Sequence, residues 1–109
     1  KILFQPHVGS FDRGIASTVY CHPKGNIDPE KLLTLYNDFY DDEPFVQVCN
    51  SAPAVKDVAG INYCHIFPTC TKGKIIIFSA IDNLIKGACG QAIQNMNIIF
   101  SMEETLGLL

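Results

Sequence analysis

The sequence predicts an α+β domain, built as a largely antiparallel mixed sheet covered by helices. Four observations carry that expectation. Two segments rich in β-branched and aromatic residues, 61–67 and 74–81, are separated by a six-residue loop that suits a hairpin. Strand-like and helix-like segments do not alternate as regular βαβ units. No G-x-G-x-x-G follows any strand, so this piece holds no dinucleotide fold of its own. Finally, residues 82–97 carry apolar side chains at helical spacing directly after the last strand.

Taken in order, residues 1–8 are expected to form a strand that Pro6 ends. A turn-rich loop, Gly9-Ser10-Phe11-Asp12-Arg13-Gly14, follows. Residues 15–21 are β-branched and aromatic enough for a second strand. After a turn at Pro23-Lys24-Gly25-Asn26, Asp28-Pro29-Glu30 supplies a cap, a proline at the first helical position and an acid in the first turn. That helix is expected to run to about Tyr40 and to bury Leu32, Leu33, Leu35, Tyr36 and Phe39. Residues 45–49 read as a short strand, and 51–60 as a connection containing Pro53 and Gly60.

The last helix is unusual. Asp82 stands where an N-cap belongs, able to accept from free backbone N–H groups. Leu84, Ile85, Ala88, Cys89, Ala92, Ile93 and Met96 form an apolar stripe. The opposite side carries Lys86, Gly87, Gly90, Gln91, Gln94, Asn95 and Asn97, amides and glycines where a solvated helix would carry Glu and Lys. Each interior glycine costs about 1 kcal/mol relative to alanine, so a backbone or a ligand is expected to come close. The helix is expected to be covered on both sides. Across residues 59–101 the only charged side chains are Lys72, Lys74, Asp82 and Lys86. The C-terminal half is therefore expected to pack against protein outside this chain, another domain or another copy.

Composition narrows the function. Apolar residues make up 48% of 109, enough for a core, and no run approaches the ~20 residues of a membrane span. A net charge of −3 with scattered lysines argues against a nucleic-acid footprint. The chain reads as a piece of a longer protein. Its five cysteines include no C-x-x-C, which removes a zinc-ribbon or redox signature. Cys21-His22 and Cys64-His65 are adjacent pairs whose side chains point to opposite faces of a strand. Cys70, in the expected loop 68–73, reads as the most exposed thiol. Reduced thiols fit a cytoplasmic compartment.

Four residues could do chemistry. His7 follows Pro6 and stands six residues before Arg13, so a titratable ring could face a cleft with Arg13 as an anion site. The residues alone leave this and a plain surface role both open. Asn83, in the first helical turn, could read a flat carboxamide or serve the backbone. Lys86 could be an anion contact or a solvated lysine.

A resemblance adds to this reading. Pro6-His7 followed by Arg13-Gly14-Ile15 resembles a block of the N-acetyl-γ-glutamyl-phosphate reductases, P-H, five residues, then R-G and Ile or Met. Phe45-Val46 with Val58-Ala59-Gly60-Ile61-Asn62 is similar to a second block of that family. Asp82-Asn83-Leu84-Ile85-Lys86-Gly87-Ala88-Cys89-Gly90-Gln91-Ala92-Ile93-Gln94-Asn95-Met96-Asn97 is similar to its closing block, and Glu103 to Leu108 to its ending, with Leu106 as one extra residue.

The resemblance implies a semialdehyde-dehydrogenase-type C-terminal domain, spanning residues 1–109, of a two-domain oxidoreductase of arginine biosynthesis. The N-terminal Rossmann-type domain, outside this chain, would bind NADP(H) and carry the cysteine nucleophile. The parent would reduce N-acetyl-γ-glutamyl phosphate to N-acetylglutamate 5-semialdehyde and release phosphate. The fragment alone is expected to be inactive. By motif, His7 matches the acid/base histidine, Arg13 a substrate-anion contact and Asn83 a residue expected beside the nicotinamide; Lys86 is expected, from its own chemistry, to be a further substrate contact. Expected partners are the chain's own N-terminal domain, further copies in a homo-oligomer and the acyl phosphate, with no nucleic acid and no membrane. The departures are the missing cysteine block, Gly9-Ser10-Phe11 where the family carries V-P-M, and Ile61 for a small polar residue. The rival readings are a relative of aspartate-semialdehyde dehydrogenase and a non-catalytic interaction module.

Overall fold

The computed structural model, which describes residues 2–108, builds one four-stranded sheet. Its strands are β1 (Ile15–Cys21), β2 (Val46–Val48), β3 (Cys64–Thr71) and β4 (Lys74–Ile81), in the order β1-β4-β3-β2. β1 and β3 both run antiparallel to β4, and β2 runs parallel to β3. The largely antiparallel mixed sheet expected from the sequence is what forms.

The hairpin turn is tighter than expected. Pro68 to Thr71 belong to β3, and Lys72 and Gly73 alone make the turn, with φ of 47° and 73°. Positive φ at both central residues matches the right-handed twist of the flanking strands. A proline is tolerated at position 68 because β2 pairs only Cys64 to Ile66, so Pro68 lies past its end and needs no partner for a missing N–H. Cys70 is consequently a strand residue, half-buried, its thiol 3.4 Å from the Ile27 carbonyl. The exposed thiol is Cys89.

The expected strand at residues 1–8 is not present: residues 2–9 form no strand and are exposed, and position 1 lies outside the described residues. An apolar run becomes a strand only by pairing, and among the described residues this one pairs with neither outer edge of the sheet, at β1 or at β2.

Helix α1 (Pro29–Tyr40) starts as read, with Asp28 Oδ1 accepting from Glu30 N at 3.0 Å. It packs on β2 and β3, over the sheet face that carries Cys21, Pro68 and Cys70. Of the five side chains expected to be buried, Leu32 is, Leu33 and Tyr36 are half-buried, and Leu35 and Phe39 stay exposed, Phe39 by 73%. One sheet face buries only about a third of a helix circumference, so five positions in eight residues were too many. The register places Thr18, Tyr20, Ile76, Phe78, Phe67 and Thr69 on the other face. There Phe67 and Phe78 stack at 6.2 Å, and Tyr20 is 67% exposed.

The final helix departs most from expectation. It opens as a π-turn over Ile85–Cys89 and becomes α-helical only at α2 (Gly90–Ile99). Gly87 N bonds to Asp82 O, Cys89 N to Leu84 O and Gly90 N to Ile85 O, each five residues back. The period read from the sequence holds, and the glycine-and-amide face is closely approached as expected, by Asn62 at Gly90, while within this chain the apolar stripe is left uncovered. Gly90, Gln94 and Asn97 are buried, while Leu84, Ile93 and Met96 face out.

The segment 103–108 covers the amide face. It folds back over the helix, and Asn97 Nδ2 donates to the carbonyls of Glu104 and Leu106, both at 3.0 Å. Gln94 Nε2 donates to Glu104 Oε1 at 2.6 Å. Amides line this face because they satisfy backbone and carboxylate acceptors that an apolar face would leave unpaired.

The chain exposes 7911 Å², where a monomeric globular protein of its mass exposes about 6,000 Å². Its radius of gyration is 15.2 Å, against about 13 Å for a compact domain of this length. Buried apolar side chains are few, led by Leu32, Phe45 and Val58. The fold carries surface suited to further contacts.

Candidate active site

Asp82 is the residue on which the distant parts of the chain converge. It follows β4 immediately and is fully buried. Oδ1 accepts from Leu84 N at 2.8 Å and Ile85 N at 3.0 Å, which is the N-cap read from the sequence. Oδ2 accepts from Gly60 N at 2.8 Å and faces Arg13 Nη1 at 3.4 Å. The Gly60 N–H does most to hold this carboxyl below its ordinary value. Burial works against it, and the Leu84 and Ile85 N–H groups and Arg13 reinforce it.

The sign of the pH dependence follows. Because the folded value is lowered, the stabilisation is fully present above the unfolded value of about 3.9 and is lost as pH falls through the folded value beneath it. Urea denaturation of Asp82→Asn is therefore expected to show a shallower stability loss than wild type below about pH 4. An acid limb of unchanged slope would contradict this assignment.

Asn83 sits beside it, half-buried, and its Oδ1 accepts from Gly14 N at 2.7 Å. Its oxygen thus serves the backbone, which leaves the amide Nδ2 as the group able to donate to a ligand. Arg13 and Asn83 are brought together here.

His7 lies in the exposed stretch 2–13 and makes no hydrogen bond among the described residues. Lys86 is placed elsewhere, with no bond to the Arg13, Asp82 and Asn83 group among the described residues. Its Nζ donates to Gln94 Oε1 at 2.6 Å and lies 5.4 Å from the Phe45 ring centroid. Burial lowers its pKa below that of an ordinary lysine, opposed by Cys64, Glu104 and Glu43. Burial also raises the Cys49 and Cys64 thiols, which makes both poor thiolates at neutral pH. Among the described residues no group of His, Cys, Asp and Glu could hold a metal ion.

Next to this cluster opens a cleft of about 500 Å³, lined by Gly60, Asn62, Tyr63, Gly90, Ile93 and Leu108 among others. Asn62 was quoted above only as part of a motif, yet it is 2% exposed and donates to Gln94 Oε1 at 3.4 Å. Its Oδ1 has no partner and rests against Gly90. Two polar residues buried at a distance in sequence were the available signal, and spacing alone does not pair them.

Comparison with known proteins bears on this arrangement. Residues 1–83 match the family described as semialdehyde dehydrogenase, dimerisation domain. Among curated proteins, the N-acetyl-gamma-glutamyl-phosphate reductase of Citrifermentans bemidjiense is 49% identical over 99% of this chain and 32% of its own length. That of Geotalea daltonii is 52% identical over 98% of this chain and 32% of its own. That of Thermoanaerobacter sp. strain X514 is 47% identical over 99% and 33%. The chain thus spans about a third of the relatives it matches. Among solved structures, aspartate semialdehyde dehydrogenase II of Vibrio cholerae, complexed with ASA, superposes with a TM-score of 0.63 at 18% identity. That match covers 82% of this chain and 27% of the other and speaks to the fold alone.

Proposed function

This chain belongs to the semialdehyde dehydrogenase dimerisation-domain family, and from that premise we propose that it is the C-terminal domain of an N-acetyl-γ-glutamyl-phosphate reductase. The observation that carries the reading is the convergence on Asp82. Three blocks far apart in sequence, at Arg13-Gly14, at Gly60 and at Asp82-Asn83, meet through hydrogen bonds.

In the parent protein, the acyl phosphate is attacked by a cysteine thiolate of the N-terminal domain, giving a thioacyl group and free phosphate. When bound, mainly by that domain, NADPH would supply the hydride for reduction of the thioacyl carbon. Asn83 fits that cofactor, because its Oδ1 is engaged by Gly14 N and its Nδ2 remains to meet a carboxamide oxygen. His7 gives a proton to the oxygen of the carbon being reduced and takes one back as the aldehyde leaves and the thiolate is restored. Arg13 holds an anionic group of the substrate, and Lys86 adds positive charge. No residue here replaces the nucleophile, so the isolated domain is inactive. The five cysteines are free, which suits a reducing, cytoplasmic setting.

The family description implies that the domain pairs with a second copy. The open sheet face of Tyr20, Phe67, Ile76 and Phe78 suits that role, and the outward stripe of α2 suits the N-terminal domain. A standard interface takes about 800 Å² from each partner, and the surplus surface of roughly 1,900 Å² over a globular monomer accommodates both.

The test is an assay of the full-length parent for phosphate-dependent reduction of NADP⁺ with N-acetylglutamate 5-semialdehyde. Turnover with this aldehyde is expected. Turnover only with aspartate semialdehyde would move the assignment to the sister enzyme, and silence with both would favour an interaction module.

A further inference from the structure

Two neighbouring residues of one segment hold two neighbouring residues of another, 69 positions away. Asp82 Oδ2 meets Arg13 Nη1 at 3.4 Å, and Asn83 Oδ1 accepts from Gly14 N at 2.7 Å. The first rung is lopsided. Asp82 is fully buried, whereas the Arg13 side chain is 47% exposed. The carboxylate also takes three backbone N–H groups, from Gly60, Leu84 and Ile85. It is therefore fixed and satisfied whether or not the arginine is present. Arg13 spends one Nη1 hydrogen on it, and the rest of its five-donor fork is unengaged among the described residues.

An exposed ion pair ordinarily contributes little and orders little. Here one partner is immobile, and the backbone next to the other is pinned by the second rung. We infer that Asp82 is a positioning residue, holding the Arg13 guanidinium so that its free edge receives a substrate oxyanion in two-pronged fashion. This rests on the reading of Arg13 given under Proposed function. A carboxylate beside an arginine also subtracts from its attraction for anions, so orientation must outweigh lost charge. The two effects have opposite signs in an experiment.

The experiment uses the full-length reductase and four variants: Arg13→Ala, Arg13→Lys, Asp82→Asn and the Arg13→Lys/Asp82→Asn double. It reads KM for the acyl phosphate, KM for NADPH, inhibition by inorganic phosphate and Tm. Arg13→Lys keeps the charge and loses the fork, and it is expected to raise acyl-phosphate KM about tenfold with NADPH KM and Tm unchanged. Asp82→Asn is expected to raise the same KM comparably in the Arg13 background. In the Arg13→Lys background it should add less than about threefold, since coupled residues do not act additively. Phosphate inhibition weakening in step would identify the held group as the phosphoryl, and unchanged inhibition the carboxylate; both agree with positioning.

An acyl-phosphate KM lowered by Asp82→Asn would overturn the inference, because charge would then outweigh orientation. So would an Asp82→Asn effect of full size in the Arg13→Lys background, which would place its action in the fold. If Asp82→Asn does not accumulate as folded protein, Arg13→Lys decides alone. Wild-type kinetics there, with a large loss in Arg13→Ala, would leave charge as the only requirement and overturn positioning. An Arg13→Ala variant as active as wild type would instead sink the role of Arg13 itself.

Discussion

Gly90→Ala is expected to cost the full-length protein about 3 kcal/mol or more of stability, a value that single substitutions reach only by a specific structural insult. In most helices the change would help by about 1 kcal/mol. Here the new methyl would run into Asn62 Oδ1 and would lie 2.8 Å from the Ile85 carbonyl. Neither neighbour can yield easily. Asn62 is buried and bonded to Gln94, and Ile85 O already accepts from Gly90 N in the π-turn. Chemical denaturation in urea measures the loss directly. A variant as stable as wild type would mean that helix and Asn62 do not press together as described. Gly87→Ala is the natural comparison, because its methyl would lie 3.3 Å from the Asp82 carbonyl and 3.4 Å from the Ile81 side chain, contacts a small shift relieves.

His7→Ala is expected to act on chemistry alone, lowering kcat of the full-length reductase by about 10²–10⁴-fold. His7 lies in an exposed stretch and makes no hydrogen bond among the described residues, so its removal leaves the fold of this domain intact. Steady-state kinetics should therefore separate a collapsed kcat from an unchanged Tm and a nearly unchanged KM for NADPH. A rate within a few-fold of wild type would remove His7 from the mechanism and leave the acid/base group to the N-terminal domain.

Local signals fared well where local chemistry decides. The Asp28-Pro29-Glu30 start of α1, the Asp82 cap and strands β1 and β4 follow from residues acting on their immediate neighbours. The run Ile2-Leu3-Phe4 had strand chemistry, but a strand also needs a pairing partner, and no sequence window reveals whether a run will meet a sheet edge. Pro68 looked like a loop residue because the rule against proline in strands depends on where the neighbouring strand stops. In α2 the spacing gave the period but not which side turns inward. That depended on Gln94 and Asn97 finding acceptors in 103–108, segments that meet only after folding. The site divides the same way. Arg13, Asn83, His7 and Lys86 could be named one by one, and a resemblance suggested their roles. The rungs from Asp82-Asn83 to Arg13-Gly14 span 69 positions and have no signature in spacing.

The π-turn at Ile85–Cys89 has a consequence for how the chain can change length. Such a turn accommodates one more residue than an α-helical turn, and one residue advances a helix by about 100°. An insertion or deletion within α2 ahead of Gln94 would swing Gln94 and Asn97 away from the carbonyls they hold and bring the outward stripe to bear on 103–108 instead. A deletion of one residue within 85–89 is different: it can be absorbed by tightening the turn to α geometry while everything from Gly90 onward keeps its heading. The segment acts as a slack link, the one point in this helix where the spelling can shorten without turning the rest of the word over.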